Sequence, residues 1–252
     1  MKRVLASIAG LLAHQVASHG GCLNYTVGET WYPGYVDFTP PDIPSHDLLS
    51  HSSTQLTQHS YNPDDDHTSQ EAAPWMPQRS WITVDPIFET TNHSLSCNFP
   101  GRPARAYIPI TAGSNITAVY GSWVHTVGPM IAWMAHCPGD DCFTADPSTL
   151  DWFKIGQKGL ESGTIELGDW FQKTFSRWDG TPSLWSETVP KGLRKGRYLV
   201  RHEIISLHSA NKPQFYPECA NLDVSGEGEG YPEKKYMAKF PGVWSMNREF
   251  SC

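Results

Sequence analysis

Charged residues are scarce in this sequence. They make up 18% of its 252 residues and leave a net charge of −7, whereas roughly a quarter of an average soluble protein is charged. The acidic balance argues against a nucleic-acid-binding protein, because such proteins present a basic face to phosphate. Apolar runs stay shorter than the ~20 residues that a membrane-spanning helix needs, and heptads are missing. We therefore exclude a membrane protein and a coiled coil.

Turn-forming residues are abundant, with 20 proline and 21 glycine residues beside 10 tryptophans. Segments rich in β-branched and aromatic residues are predicted as strands, and residues 148–154 as a short helical turn. We predict an all-β fold, an immunoglobulin/fibronectin-like antiparallel β-sandwich with long loops and few short helices. The predicted strands are residues 104–110, 115–123, 130–135 and 197–205.

The first eighteen residues have the layout of a secretory signal peptide. A basic start precedes apolar residues 4–13, and small residues follow at 16–18, where a signal peptidase cleaves. We predict that residues 1–18 are removed, that the protein is secreted, and that His19 begins one mature domain ending at residue 252.

Secretion changes how the six cysteines are interpreted. An even number in an oxidising compartment suggests three disulfides, among fifteen possible pairings. Cys137 and Cys142 enclose Pro-Gly-Asp-Asp, a natural turn, and could close a small loop. Three N-x-S/T triplets agree with export and predict glycosylation, at Asn24, Asn92 and Asn115.

Residues 45–77 form a polar stretch that is poor in β-branched residues. Four histidines in it invite a metal-binding interpretation, but their spacing is irregular and their surroundings resemble a solvated loop. We therefore predict a long surface loop. The four histidines are His46, His51, His59 and His67.

A processed N-terminus at His19 would carry a chelating pair of nitrogens. Its α-amino group, with an ordinary pKa of about 7.7–8.0, would lie beside its own imidazole. A third nitrogen would complete a planar site of the kind that suits copper. His125 is the candidate, because the sequence predicts it on the turn between two strands. Alone, either histidine is more often an ordinary surface residue.

A second cluster of polar residues spans 201–208 and 214–219. His202 and His208 are six residues apart, so on one strand they would share a face. The cluster could be interpreted as the acid/base pair of a hydrolase. That interpretation is disfavoured, because the sequence has neither a Gly-x-Ser-x-Gly elbow nor a carboxylate pair in a glycosidase context. Tyr216 could equally be a half-buried packing residue.

Several spaced motifs resemble one family, the secreted fungal lytic polysaccharide monooxygenases of auxiliary-activity family nine. The likeness covers nearly all of the mature chain except the last few residues and residues 45–77, which look like an insertion. It is strongest in residues 199–208 and 214–219. The other matching segments are residues 19–21, 32–35, 78–81, 96–98, 123–129 and 137–140.

This resemblance implies one type 2 copper ion in a histidine brace. His19 would bind through its amino and ring nitrogens, His125 through one ring nitrogen, and Tyr216 at the axial position. The resemblance also implies that His208 and Gln214 form hydrogen bonds to an oxygen species at the metal, as outer partners that tune a site.

The implied reaction uses an external electron donor, a small reductant or a secreted dehydrogenase, with O2 or H2O2. It removes hydrogen from C1 and/or C4 of a β-1,4-glucan such as cellulose, and the hydroxylated chain breaks. We expect a monomer that binds neither nucleic acid nor membranes. A crystalline polymer requires a flat site with aromatic platforms, for which Trp31, Tyr32 and Tyr231 are candidates, although each could equally pack inside.

The resemblance also implies two disulfides, Cys97–Cys219 and Cys137–Cys142, and leaves Cys22 and Cys252 as a possible third. Two other functions stay open at this point. One is a secreted copper- or carbohydrate-binding β-sandwich protein without catalytic turnover. The other is a glycoside hydrolase, which would release unoxidised sugars without a metal.

Overall fold

The structure, a computed structural model, describes residues 20–34, 75–121, 123–177 and 181–245. Within these ranges the chain forms two main β-sheets, a two-stranded ribbon and one short α-helix. The signal peptide, His19, the four histidines of the polar stretch, most of that stretch and Cys252 lie outside the described residues.

The smaller main sheet has four strands in the order β2-β1-β4-β9. All of its neighbouring strands are antiparallel, and β1 joins β2 through a tight hairpin. Its strands are β1 (Cys22–Val27), β2 (Thr30–Pro33), β4 (Asn115–Tyr120) and β9 (Ser183–Thr188).

The larger sheet has six strands in the order β12-β6-β5-β10-β11-β3. Its centre is the long antiparallel pair of β10 and β11, whereas β3 runs parallel to β11 at one edge. Its strands are β3 (Ile108–Thr111), β5 (Met130–His136), β6 (Trp152–Lys158), β10 (Gly196–Ser206), β11 (Gln214–Ser225) and β12 (Met237–Ala238).

A small ribbon and the helix follow β6. Strands β7 (Leu160–Ser162) and β8 (Asp169–Trp170) pair with each other, and α1 (Phe171–Phe175) continues directly from β8. Within the described ranges, no helix has the length and apolar character that would let it cross a membrane.

The core lies between the two main sheets, as side-chain alternation requires. On β10, Val200 and Ile204 face the smaller sheet and pack with residues such as Tyr25 of β1 and Trp185 of β9. The opposite face of the larger sheet has its own apolar layer, which includes Leu199 and Ile205. Because both faces of β10 are covered, nearly all of its side chains are buried.

The predicted β-sandwich is confirmed, and three predicted strands agree with β4, β5 and β10 to within three residues at either end. The prediction for residues 104–110 is correct only at its end, where β3 begins at Ile108. The helical prediction for residues 148–154 is wrong from Trp152 onward. A 3₁₀ turn covers Pro147–Thr149, and Trp152 then begins β6 because its backbone pairs with β12.

Candidate metal centre

The loop between β4 and β5 places His125, which is half-buried, at one end of the sandwich. The loop is anchored by Trp123, which is fully buried. Its indole Nε1 donates to Gln172 Oε1 at 3.3 Å, and its carbonyl accepts from Ser176 Oγ at 2.7 Å. The prediction that His125 lies on a connection between two strands is therefore confirmed.

Gly128 lets this loop lie directly against the end of β10. Its φ of +129° is favourable only for glycine, and a Cβ there would collide with the carbonyl of Ile205. Leu207 N donates to Val127 O at 2.9 Å, which joins the loop to the residue that follows β10. The approach brings His125 to the residues that follow this strand.

Tyr216 and Gln214 come from the start of β11, and Tyr216 meets His125 across 91 residues of sequence. The Tyr216 hydroxyl donates to Gln214 Oε1 at 2.7 Å, and its oxygen lies 3.0 Å from His125 Nε2. The Trp123 ring packs edge-on against the Tyr216 ring, with centroids 5.0 Å apart. A ring nitrogen and a phenol oxygen therefore converge with their orientations restrained.

His208 lies in the turn after β10 and is exposed. Its ring stacks on that of His125, with centroids 4.5 Å apart and an interplanar angle of 9°. Its Nδ1 lies 2.6 Å from the hydroxyl of Ser206, the last residue of β10. Because β10 ends at Ser206, His202 and His208 do not lie on one strand face.

The environment of Tyr216 favours the neutral phenol. Burial raises its pKa well above the ordinary value, and the negative charges of Asp85 and Glu218 raise it further. A neutral phenol would be a weaker oxygen donor to a metal than a phenolate.

Gly21, the second residue after His19, lies against the same strand. A Cβ on Gly21 would approach the Trp81 ring to 2.9 Å and Glu218 Oε1 to 3.2 Å, so the fold needs glycine there. Glu218 is two residues beyond Tyr216 on β11 and faces the same way. The described chain therefore begins beside the strand that carries Tyr216.

Imidazole nitrogen and phenol oxygen are suitable copper ligands, so the residues at this end of the sandwich fit a copper ion. No group of three or more histidine, cysteine, aspartate or glutamate side chains within the described ranges could hold a metal on its own. The residues found here would have to share the ion with a ligand outside those ranges.

The hydrolase interpretation of residues 201–208 has no support in the fold. Arg201 and Glu203 are completely buried and form an ion pair at 2.7 Å. Arg201 also donates to the carbonyls of Leu95 and Ser96, and its guanidinium lies over the Phe240 ring. These contacts lie on the face of the larger sheet that is turned away from the smaller one, and they are structural.

Two disulfides join the pairs that the resemblance implied, Cys97–Cys219 and Cys137–Cys142. The possible third bridge is not formed, because Cys22 is a free and fully buried thiol. Burial raises the pKa of this thiol, and its Sγ donates weakly to the carbonyl of Asn24 at 3.3 Å.

Two surface expectations need correction. Asn24 is 6% exposed in β1, between β2 and β4, where a glycan would not fit, whereas Asn92 and Asn115 are exposed. Tyr231 is no platform beside His125. It packs near His136, which pairs with Tyr198 at the start of β10. The length of β10, roughly 30 Å, separates this position from the end where His208 lies.

Of the other two platform candidates, Tyr32 packs partly against the core, whereas Trp31 is 38% exposed on the edge strand β2.

Two residues that support the site, Gln172 and Ser206, were not predicted from the sequence. Gln172 is fully buried and links Trp123 to β10 by donating to the carbonyl of Ile205 at 2.8 Å. Neither residue stands in a pattern that sequence alone connects with His125.

Residues 19–250 match the sequence profile of Auxiliary Activity family 9, formerly GH61. The chain is 37% identical over 246 residues to AA9 family lytic polysaccharide monooxygenase B of Heterobasidion irregulare, covering 96% of this chain and 87% of the relative. It is also 37% identical over 248 residues to monooxygenase D of Thermothelomyces thermophilus, covering 96% and 83%.

Solved structures agree with these sequence matches. The crystal structure of HiLPMO9B superposes with a TM-score of 0.72 at 37% identity, covering 90% of this chain and 88% of that one. A cellulose-active polysaccharide monooxygenase from M. thermophila gives a TM-score of 0.72 at 32% identity, covering 91% and 88%. The chain therefore belongs to auxiliary activity family 9, the copper-dependent lytic polysaccharide monooxygenases, and is an oxidoreductase.

Proposed function

We propose that this protein is a secreted monooxygenase that cleaves β-1,4-glucan chains such as cellulose at C1 and/or C4. It would use an external electron donor and O2 or H2O2. The observation that carries the proposal is the meeting of His125 and Tyr216 at 3.0 Å, with Gln214 and His208 in contact with them.

The copper ion would be held by His19 through its amino and ring nitrogens, by His125 through Nε2, and by the Tyr216 oxygen. His19 lies outside the described residues, but only Gly20 separates it from Gly21, where an added Cβ would lie 3.2 Å from Glu218 Oε1 of β11. Copper, when bound, supplies the one-electron chemistry that turns O2 or H2O2 into an oxidant of sugar C–H bonds.

The protein's own residues orient the reacting groups. The Gln214 side-chain oxygen accepts from Tyr216, which leaves its amide nitrogen to donate to an oxygen in the site. His208 lies flat on His125 and offers a second polar group beside it. The hydrogen bonds of Gln172 to Trp123 and to Ile205 O anchor the His125 loop to β10, so His125 would keep its position when substrate binds.

Several observations support a polysaccharide substrate. His125 is half-buried and His208 exposed, so the site lies at a surface that a polymer chain can reach without entering a pocket. A similar protein at 32% identity is described as cellulose-active. Trp31, exposed on β2, is the remaining candidate for an aromatic platform.

Secretion is required for this assignment, because only cleavage after residue 18 gives His19 a free amino group. We propose that residues 19–252 form one catalytic domain and that residues 45–77 form a loop insertion in it. The two disulfides favour an oxidising compartment. Asn92 and Asn115 are the glycosylation sites that remain.

The test begins with expression of the full chain in a secreting host and N-terminal sequencing of the product, which should begin at His19. The copper-loaded protein is then incubated with cellulose and ascorbate, and mass spectrometry should detect oxidised oligosaccharides. Metal-free protein is the control. Copper binding without oxidised products from cellulose or other β-glucans would indicate a binding protein, and metal-independent release of unoxidised sugars a hydrolase.

A further inference from the structure

Ser206 places a buried hydroxyl directly beneath the exposed part of the site. It is the last residue of β10, is fully buried, and has its Oγ 2.6 Å from Nδ1 of His208. In the antiparallel ladder Ser206 lies opposite Gln214, the residue that accepts from Tyr216. One cross-strand pair therefore carries the hydrogen-bond partners of both His208 and Tyr216.

The direction of the Ser206–His208 hydrogen bond follows from what else the hydroxyl can reach. Within the described residues this hydroxyl makes no other hydrogen bond. If His208 Nδ1 were the donor, the buried hydroxyl hydrogen would have no acceptor, which is unfavourable for a buried polar group. If Ser206 donates, the hydroxyl and Nδ1 are both satisfied. Ser206 is therefore the donor.

A neutral imidazole whose Nδ1 accepts must carry its hydrogen on Nε2. We propose that Ser206 is a positioning residue that holds His208 as the Nε2–H tautomer with its ring flat against His125. His208 then presents a hydrogen-bond donor, and not an acceptor, to an oxygen atom of a reactant in the site. The catalytic part of this inference rests on the proposed function, whereas the tautomer does not.

Packing against His125 restrains the tilt of the His208 ring but leaves its rotation within the ring plane and its tautomer open. The hydrogen bond from Ser206 removes both freedoms, because it requires a lone pair at one defined ring position. Without the hydroxyl, an exposed imidazole would turn and exchange its hydrogen between the two nitrogens through water.

The test of the tautomer is ¹⁵N NMR of the histidine rings in the metal-free mature protein, at a pH where imidazoles are neutral. The His208 signals are identified by their absence in His208→Gln. We expect an acceptor-type Nδ1 and a donor-type Nε2 in the wild type, and a shift toward the average of an unbonded imidazole in Ser206→Ala. Ser206→Thr keeps the hydroxyl and should keep the wild-type signals.

A donor-type Nδ1 in the wild type, or signals that stay unchanged in Ser206→Ala, would overturn the assignment. Ser225→Ala is the matched control, because it removes a serine hydroxyl at the far end of β11 that contacts Thr111. It should leave the His208 signals unchanged.

The test of the catalytic role compares the copper-loaded variants on soluble β-glucan oligosaccharide with H2O2. Because outer partners of a metal site affect activity by about 10–100-fold, we expect Ser206→Ala to lower kcat by roughly tenfold, with KM and copper affinity unchanged and with rescue in Ser206→Thr. An unchanged kcat beside an altered tautomer would overturn the role. If the wild type oxidises no sugar, the proposed function fails, and the NMR result still decides the tautomer.

Discussion

His202 and His208 lie six residues apart in the same segment of sequence, and their environments are opposite. His202 is fully buried between the sheets, with its ring 5.5 Å from that of Tyr25 and 4.7 Å from that of Trp185. Burial lowers its pKa to about 3. His208 is exposed, its ring is hydrogen-bonded to Ser206, and it stacks on the ring of His125.

The difference shows that the end of a strand can separate a buried histidine from an accessible one. His202 is opposite Glu218 in the ladder, and burial raises the pKa of that carboxyl, so the interior favours the neutral form of both groups. Neither His202 nitrogen has a hydrogen-bond partner within the described part of the chain. A histidine in such a place contributes packing, whereas His208 can exchange hydrogen bonds with a substrate.

Replacing His125 should give the largest effect, because it removes a ligand. We expect His125→Ala to weaken copper binding well beyond the roughly 100-fold that the loss of an outer partner can cause, and His19→Ala to do the same. Isothermal titration calorimetry measures this. His136→Ala, at the other end of β5 beside Asp140, is the control and should bind copper normally. Unchanged copper affinity in His125→Ala would show that the ligand assignment is wrong.

Replacing His202 should alter the pH dependence of the free energy of unfolding and leave copper affinity unchanged. Since its folded pKa of about 3 lies below the ordinary 6.5, the unfolded chain binds the extra proton between these values. The wild type therefore loses stability as pH falls through this window, by up to about 1.4 kcal/mol per pH unit. His202→Leu should lack this loss.

The measurement for His202→Leu is urea unfolding between pH 4 and 7. The raised pKa of Glu218 has the opposite effect, lowering stability as pH rises above the carboxyl's ordinary value. Comparing the variant with the wild type largely cancels that contribution. Parallel stability curves for the two proteins would contradict the interpretation of His202. His93→Leu, at an exposed histidine, is the control.

Replacing His208 should separate activity from metal binding. We expect His208→Asn to lower kcat for glucan oxidation by about 10–100-fold, as for other outer partners, with copper affinity within a few fold of the wild type. Product quantification by mass spectrometry, beside calorimetry, measures both. A large loss of copper affinity would instead make His208 a ligand.

Replacing Tyr216 should give the smallest change in affinity. Burial raises the pKa of the phenol, which favours its neutral form as a weak donor, so Tyr216→Phe should keep copper affinity within a few fold. The electron paramagnetic resonance spectrum of Cu(II) should change, because the phenol oxygen and the hydrogen bond to Gln214 are both lost. An unchanged spectrum would remove Tyr216 from the coordination sphere.

Local composition predicted most of the strands. Strands β4 and β5 were found because their segments are rich in β-branched and aromatic residues, and the turn residues between Cys137 and Cys142 indicated their loop. Strand β11 was missed, because Pro217, Glu218 and other polar residues interrupt its apolar residues and hide its strand character. The end of β10 was predicted to within one residue, at Ile205 where the strand ends at Ser206.

The candidate site was predictable only in part for a similar reason. His125 was found from its place on a turn, and His208, Gln214 and Tyr216 from motifs that resemble a known family. The roles of Ser206 and Gln172 were not found, because they consist of hydrogen bonds to residues of other elements or beyond the strand end. The burial of Asn24 and the free thiol of Cys22 likewise depend on neighbours distant in sequence.

By itself the sequence determined what depends on neighbouring residues: a leader-like start, turns, short strands and the chemical types available for a metal. Only the tertiary structure decided which of these residues meet. The order of strands in the two sheets brings the β4–β5 loop to the beginning of β11, and the end of β10 turns His208 outward while His202 stays inside. The physical reason is that side-chain periodicity is a local property, whereas a contact across 91 residues depends on how whole sheets pack.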